Sequence, residues 1–242
     1  RNIIAYPLKT GGSKWSDREL QHSLRSLQQH WKGDGDVVLL SSSIPKFVNR
    51  DTVEWHMAPG YMDAMKKAVE LADGGNILWM NDDLMFLKDT TWIDLVSPVR
   101  RMCRVSRQHA ERLLKSKNGW RCRLGKISMK LLENGRDTWK FSTHTPYWYE
   151  GDKLAVAMEL YACGYKTPIE CAYYNHFRFE HARVRDKWRS SSAKAMPQDL
   201  SQYRFLNLTD AGVYKWMKGF VRGRFHAPSR FEIAPDTEAE TV

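Results

Sequence analysis

The chain of 242 residues carries 42% hydrophobic, 12% aromatic and 27% charged residues, enough to bury a core as one domain or one domain with a small annex and too much for a disordered or fibrous design. Lys and Arg number 38 against 28 Asp and Glu, a formal charge of +10 that favours a polyanionic partner. Cys103, Cys122, Cys163 and Cys171 contain no C-x-x-C pair and are joined by no clustered His, which argues against a zinc site and predicts buried, reduced thiols. Neither a charged-then-apolar leader nor an apolar run of about 18 residues is present. The expectation is a soluble cytoplasmic protein without a membrane partner.

Asn2-Ile-Ile-Ala-Tyr6, ended by Pro7, has the composition of a buried strand leading into the loop Lys9-Thr-Gly-Gly-Ser13. Leu20, Leu24 and Leu27 recur at helical offsets and predict a helix from a cap at Ser16 or Asp17 to His30. Gly33-Asp-Gly35 stops it before a second buried strand, Asp36-Val-Val-Leu-Leu40, with a polar exit at Ser41-Ser-Ser43. Residues 59–72 repeat the helical pattern, and Asn76-Ile-Leu-Trp-Met80 is a third apolar strand. Such alternation predicts an α/β fold, a mostly parallel sheet flanked by helices. Ligands of these sheets gather at the carboxyl ends of the strands. Tyr6 to Lys9, Ser41 to Ser43 and Asn81 to Asp83 fall there.

Residues 100–140 hold thirteen Lys or Arg against Glu111, Glu133 and Asp137, an excess equal to that of the whole chain. Residues 105–114 and 127–132 carry Leu and Met at helical offsets, so the segment is expected to be a partly helical basic insertion spanning 97–140. Strand-like sequence returns over residues 139–149, Asp152 is placed to cap a helix to Cys163, and residues 169–177 are strand-like and aromatic. A basic aromatic segment over 183–230 and an acidic tail over 231–242, expected to be disordered, complete a single domain over 1–230.

The sharpest motif is Leu78-Trp-Met-Asn81-Asp82-Asp83-Leu84, a strand ending in two adjacent carboxylates. Mg²⁺ or Mn²⁺ is commonly held by one or two protein carboxylates plus the oxygens of a bound diphosphate. A turn closed by Asx hydrogen bonds is the other reading.

This motif resembles that of the metal-dependent glycosyltransferases of the GT-A fold, whose nucleotide-sugar domain ends a central strand in a D-x-D-type sequence. With Tyr6-Pro7, Ser23-Leu-Arg25-Ser-Leu27 and His144-Thr-Pro146, residues 2–180 resemble a phage-associated branch proposed to decorate hydroxymethylated DNA bases. Asn81 stands where that family has its first Asp. The resemblance implies a GT-A-like Rossmann-type fold, Asp83 as direct metal ligand, Asp82 behind it or on the sugar, and His176 or His181 as a further ligand of Mn²⁺ or Mg²⁺. It places Tyr6, Pro7 and Leu8 near the base and ribose of a nucleotide-sugar donor, expected to be a UDP-sugar, together with Asn81 and Asp82. It also makes Arg25 a candidate for the diphosphate, for which a guanidinium fork is suited.

An inverting transfer needs a general base for the acceptor hydroxyl, and Asp152, Glu150 and His144 are the candidates. A retaining transfer does not, and Asp152 is equally a helix cap. Arg100, Arg101, Arg104, Arg107, Lys115, Lys117, Arg121, Arg123 and Lys126 are expected to bind duplex DNA through its phosphates. The expected activity is transfer of a sugar onto a 5-hydroxymethylpyrimidine of phage DNA inside an infected bacterial cell. A surface or capsular polysaccharide acceptor and a non-catalytic nucleic-acid-binding protein remain as alternatives.

Overall fold

The computed structural model describes residues 1–9, 15, 17–189, 199–208 and 215–233, with the backbone alone for 215–217. A five-stranded sheet in the order β3-β2-β1-β4-β7 forms its centre. Here β1 is Ile3–Leu8, β2 Asp36–Ser41, β3 Glu54–Met57, β4 Asn76–Trp79 and β7 Tyr147–Glu150. The first four run parallel, while β7 pairs antiparallel with β4, Asn76 opposite Glu150 and Trp79 opposite Tyr147. The expected α/β class is met, with a mixed sheet.

Strand periodicity explains why these runs are apolar without interruption. Ile3, Ala5, Val38, Leu40, Ile77 and Trp79 enter one core cluster, whereas Ile4, Tyr6, Val37, Leu39 and Leu78 enter another. Successive side chains of a strand leave by opposite faces, and both faces are covered. The first face is covered by α2 (Tyr61–Ala72), α5 (Gly119–Glu133), α6 (Gly151–Tyr161) and α7 (Ile169–His176). The second is covered by α1 (Arg18–His30), which buries Leu20, Leu24 and Leu27, and by β5 (Leu84–Phe86). Pro7 does not end β1 but lies within it, opposite Leu40. The ladder with β4 has already stopped at Ala5, so the missing N–H deprives no bond on that side.

A second, three-stranded sheet has the order β5-β10-β9, with β9 Lys187–Arg189 and β10 Phe205–Asn207. Its apolar face, Met85, Leu87, Trp188 and Leu206, packs with Val221 and Phe225 at the end of α8 (Lys215–Arg224). A small pair, β6 (Val99–Arg101) with β8 (His181–Arg183), and the short α3 (Trp92–Val96) complete this side. The basic segment contains α4 (Arg107–Leu114), packed on α5. Gly125 permits that approach, because a Cβ there would lie 2.9 Å from both the Ala110 carbonyl oxygen and the Leu114 nitrogen.

Several expectations change. Residues 169–177 are not a strand: 169–176 form α7, in which seven of eight residues are buried, so no polar face marks the helical period. Of the expected strand over 139–149 only 147–149 belongs to the sheet, within β7. The tail does not begin at 231, because Phe231 and Glu232 are buried and Glu232 bridges to Val48. Residues 234–242 lie outside the described residues. All four cysteines are free, but only Cys171 is buried. No helix among the described residues is long and apolar enough to cross a membrane.

Candidate functional site

At the carboxyl ends of β1, β2 and β4 the chain leaves a cleft of about 940 Å³. Pro7, Leu8 and Lys9 line it from the end of β1, Ser42 from that of β2, and Asn81, Asp82 and Asp83 from that of β4. The helices α2 and α7 also begin here, since Pro59, Gly60, Thr167 and Pro168 are part of its wall. Helix N-termini carry unpaired N–H groups and a positive dipole end. Trp120, at the start of α5, contributes an aromatic wall with Tyr61, Tyr147 and Tyr165.

The floor is acidic. Asp83 receives a hydrogen bond from Asn207 Nδ2 on Oδ2 at 2.8 Å, while its buried Oδ1 has no partner among the described residues. Burial, and then the charge of Asp82, pushes the Asp83 carboxyl up to about 7. Asp82 is pushed up to about 6 by burial and by Glu19, which also lines the cleft. Two carboxylates that resist ionisation side by side are suited to sharing a cation, whose charge removes both penalties. Among the described residues, no three of His, Cys, Asp and Glu come together as a metal-binding group.

The rim is basic. Lys9, Lys140, Lys166 and Arg189 all line the cleft. Lys187 stands behind Arg189, donates to the Thr143 carbonyl, and is pushed down to about 8 by burial. His144 is exposed at the mouth in a left-handed backbone conformation, φ 50°. Its N–H donates to the Tyr147 hydroxyl at 3.1 Å, and crowding around the ring, with Lys187, Arg189 and Lys140, pushes it down to about 4.

Not every expected residue is brought here. Tyr6 is fully buried behind the cleft wall, its hydroxyl 3.1 Å from Ser23 Oγ. Arg25 does not face the cleft: Nε and Nη2 hold the two carboxylate oxygens of Glu232 at 2.8 and 2.7 Å, and Nη1 donates to the Phe225 and His226 carbonyls. The expected diphosphate ligand is thus a clasp on the C-terminal segment. Glu150 and Asp152 lie at the far edge of the sheet, beside Asn76 and Gly74, because β7 runs antiparallel and its end meets the start of β4. Glu150 pairs with Lys153 at 2.7 Å. His176 is also remote, at the last turn of α7, its Nδ1 2.9 Å from the Tyr161 hydroxyl. His181 sits by Arg101 and Trp139.

The nucleic-acid candidates divide. Arg100 is committed to Asp186 through Nε and Nη2 and lies over the Phe205 ring. Arg101 stacks on Trp139 with its guanidinium carbon 3.7 Å from the ring centroid, and Arg104 pairs with Asp137 at 3.1 Å. Arg123 donates to the Lys166 carbonyl at 3.3 Å. Arg107, Lys115, Lys117, Arg121 and Lys126 are exposed and in no ion pair among the described residues.

Sequence reasoning missed Glu170, Glu19 and Asn207. Glu170 is buried on the cleft wall and accepts from Ser142 Oγ, and burial pushes its carboxyl above the ordinary range. Pro168 beside Ile169 and an acidic residue next to it are the signal of a helix start there, since Pro168 is the N-cap of α7 and Glu170 lies in its first turn. Asn207 has no comparable local signal. Comparison with protein-family models finds none that matches, and comparison with curated proteins finds no match either.

Proposed function

We propose that the chain is a metal-dependent glycosyltransferase of the GT-A kind, moving a sugar from a nucleotide-diphosphate donor onto the hydroxymethyl group of a pyrimidine in DNA. The observation that carries this reading is the side-by-side pair Asp82 and Asp83 on the floor of a large cleft at the end of the central strand β4. The unpartnered Oδ1 of Asp83 and the raised affinity of both carboxyls for a proton fit Mn²⁺ or Mg²⁺, which Asp83 and Asp82 would hold. When bound, such a cation offsets the charge of the departing diphosphate.

The protein's own groups supply the rest. The N-termini of α2 and α7, with Lys9, Lys140, Lys166 and Arg189, form a positive surround suited to a diphosphate. Trp120 and the tyrosines offer flat faces for a nucleotide base or a displaced acceptor base. Glu170 takes the place of the remote Glu150 and Asp152 as the candidate proton acceptor, because its buried carboxyl binds a proton more readily than an exposed one. The unpaired cations of α4 and α5, beside Trp120, favour a polyanionic acceptor over a neutral glycan.

The test has two stages. Thermal shift with UDP and UDP-sugars, each with and without Mn²⁺, is expected to give a metal-dependent rise that Asp83→Ala removes. No rise with any nucleotide overturns the donor assignment. Incubation with hydroxymethylated duplex and a donor panel is then expected to yield a hexosyl nucleoside by mass, and its absence across the panel overturns the acceptor assignment.

A further inference from the structure

A second cavity, of about 370 Å³, shares a stretch of its wall, residues 135–144, with the main cleft. Lys140, Ser142 and His144 line the cleft, whereas Asp137 and Trp139 line this cavity. Gly135 and Arg136 line the cavity as well, so one short stretch of chain, 135–144, contributes to both spaces. Three arginines reach the second cavity from three places: Arg104 after β6, Arg136 after α5 and Arg178 after α7. Its one carboxylate, Asp137, is taken by Arg104. Neither Arg136 nor Arg178 has an ion-pair partner among the described residues.

The Trp139 side of this cavity is braced. Asn175 accepts from the Trp139 N–H at 2.9 Å and donates to the Trp139 and Cys171 carbonyls, both at 2.7 Å. Arg101 covers the Trp139 ring and donates to His181 Nδ1 at 2.9 Å, which leaves Nε2 as the donor of that ring. Guanidinium groups lining one polar cavity match the oxygens of a phosphate.

We propose that this cavity binds a phosphodiester of the nucleic-acid strand whose base enters the main cleft. The inference rests on the reading of DNA as acceptor and adds a contact outside the nine cations expected from sequence to carry it, apart from Arg104. A polymer accounts for what a single small anion does not: unpaired cations in this cavity, on the rim of the cleft and along α4 and α5. Arg136 and Arg178 serve to hold the strand in place, with no part in the chemistry.

The experiment measures binding of a fluorescent duplex by anisotropy over a range of salt, without donor or metal, for the wild type, Arg136→Ala/Arg178→Ala and Arg136→Lys/Arg178→Lys. Removing two phosphate contacts is expected to lower the slope of log affinity against log salt by about two, and the lysine pair to restore it. Thermal shift with UDP and Mn²⁺, unchanged in all three proteins, shows the fold and donor site intact. If the wild type binds and the alanine pair matches it in affinity and slope, this site is overturned while the DNA acceptor stands. If the wild type does not bind duplex at all, both fall.

Discussion

Asn207, in the last strand of the second sheet, donates its side-chain N–H to Asp83 Oδ2 at 2.8 Å. Among the described residues its own Oδ1 is buried without a partner, as is Oδ1 of Asp83, so two unsatisfied oxygens lie close to one hydrogen bond. Buried oxygens left in this state are rare, and a shared cation is a direct way to satisfy the carboxylate.

Asp83→Asn is therefore expected to separate stability from function. The folded carboxyl titrates at about 7 rather than about 4, so the unliganded protein loses stability as pH rises through that interval. The variant escapes this loss: its melting temperature exceeds that of the wild type at pH 8, by roughly 2–4 °C per kcal/mol relieved, and not at pH 4. The same variant loses the rise caused by nucleotide with Mn²⁺. Melting curves at the two pH values decide the matter, and equal differences at both would contradict the assignment.

Arg25 is expected to matter to stability alone. It is a partly buried charge held by a nearly buried Glu232, and removing one partner leaves the other uncompensated. Arg25→Ala should lower unfolding free energy by about 3 kcal/mol in urea, with the nucleotide-induced thermal shift retained. Loss of nucleotide binding in a folded Arg25→Ala protein would restore it as a donor ligand.

His22 gives the fold an acid sensitivity of opposite sign to that of Asp83. It is buried against Trp15, ring centroids 5.1 Å apart, with Nδ1 unpartnered among the described residues, and burial followed by Arg25 pushes it down to about 4. The unfolded chain takes up the proton first, so stability present above pH 6.5 is lost as pH falls toward 4, by up to about 3 kcal/mol. His22→Phe should flatten this part of the profile. Asp82 and Asp83 contribute equally to both proteins, so the difference between the two urea-midpoint curves isolates His22.

Glu170→Gln tests the proposed role of Glu170 as proton acceptor. The amide keeps an acceptor oxygen for Ser142 but cannot take a proton, and loss of a positioned general base lowers kcat by about 10²-fold or more. The donor-induced thermal shift should survive. An unchanged kcat would point instead to a transfer that needs no base, and His144→Gln run in parallel shows whether the rim histidine takes part.

What the sequence discloses follows from where its information is local. The strands β1, β2 and β4 are continuous apolar runs because both of their faces are buried, and the helix period of Leu20, Leu24 and Leu27 survives because α1 keeps a polar face. The acid pair at the end of β4 is visible for the same reason. In α7 burial on nearly all sides erases the period, so Tyr173, Tyr174 and their neighbours resemble a strand. The direction of β7 is set by its partner β4 rather than by its own residues, and from this comes the misplacement of Glu150 and Asp152. Arg25 with Glu232 and Asp83 with Asn207 are contacts across 207 and 124 positions, which no spacing rule can reach.

The seating of β10 between β5 and β9 also sets an order of assembly. Chains emerge from the ribosome amino end first, and Asp83 is made long before the residue that orients it. The central sheet is complete in composition once residue 150 has emerged, yet the acid pair stays unbraced until Asn207 arrives, and α1 stays unclasped until Glu232 follows. A nascent chain arrested between those points would hold the strands of the central sheet around an acid pair that nothing yet braces.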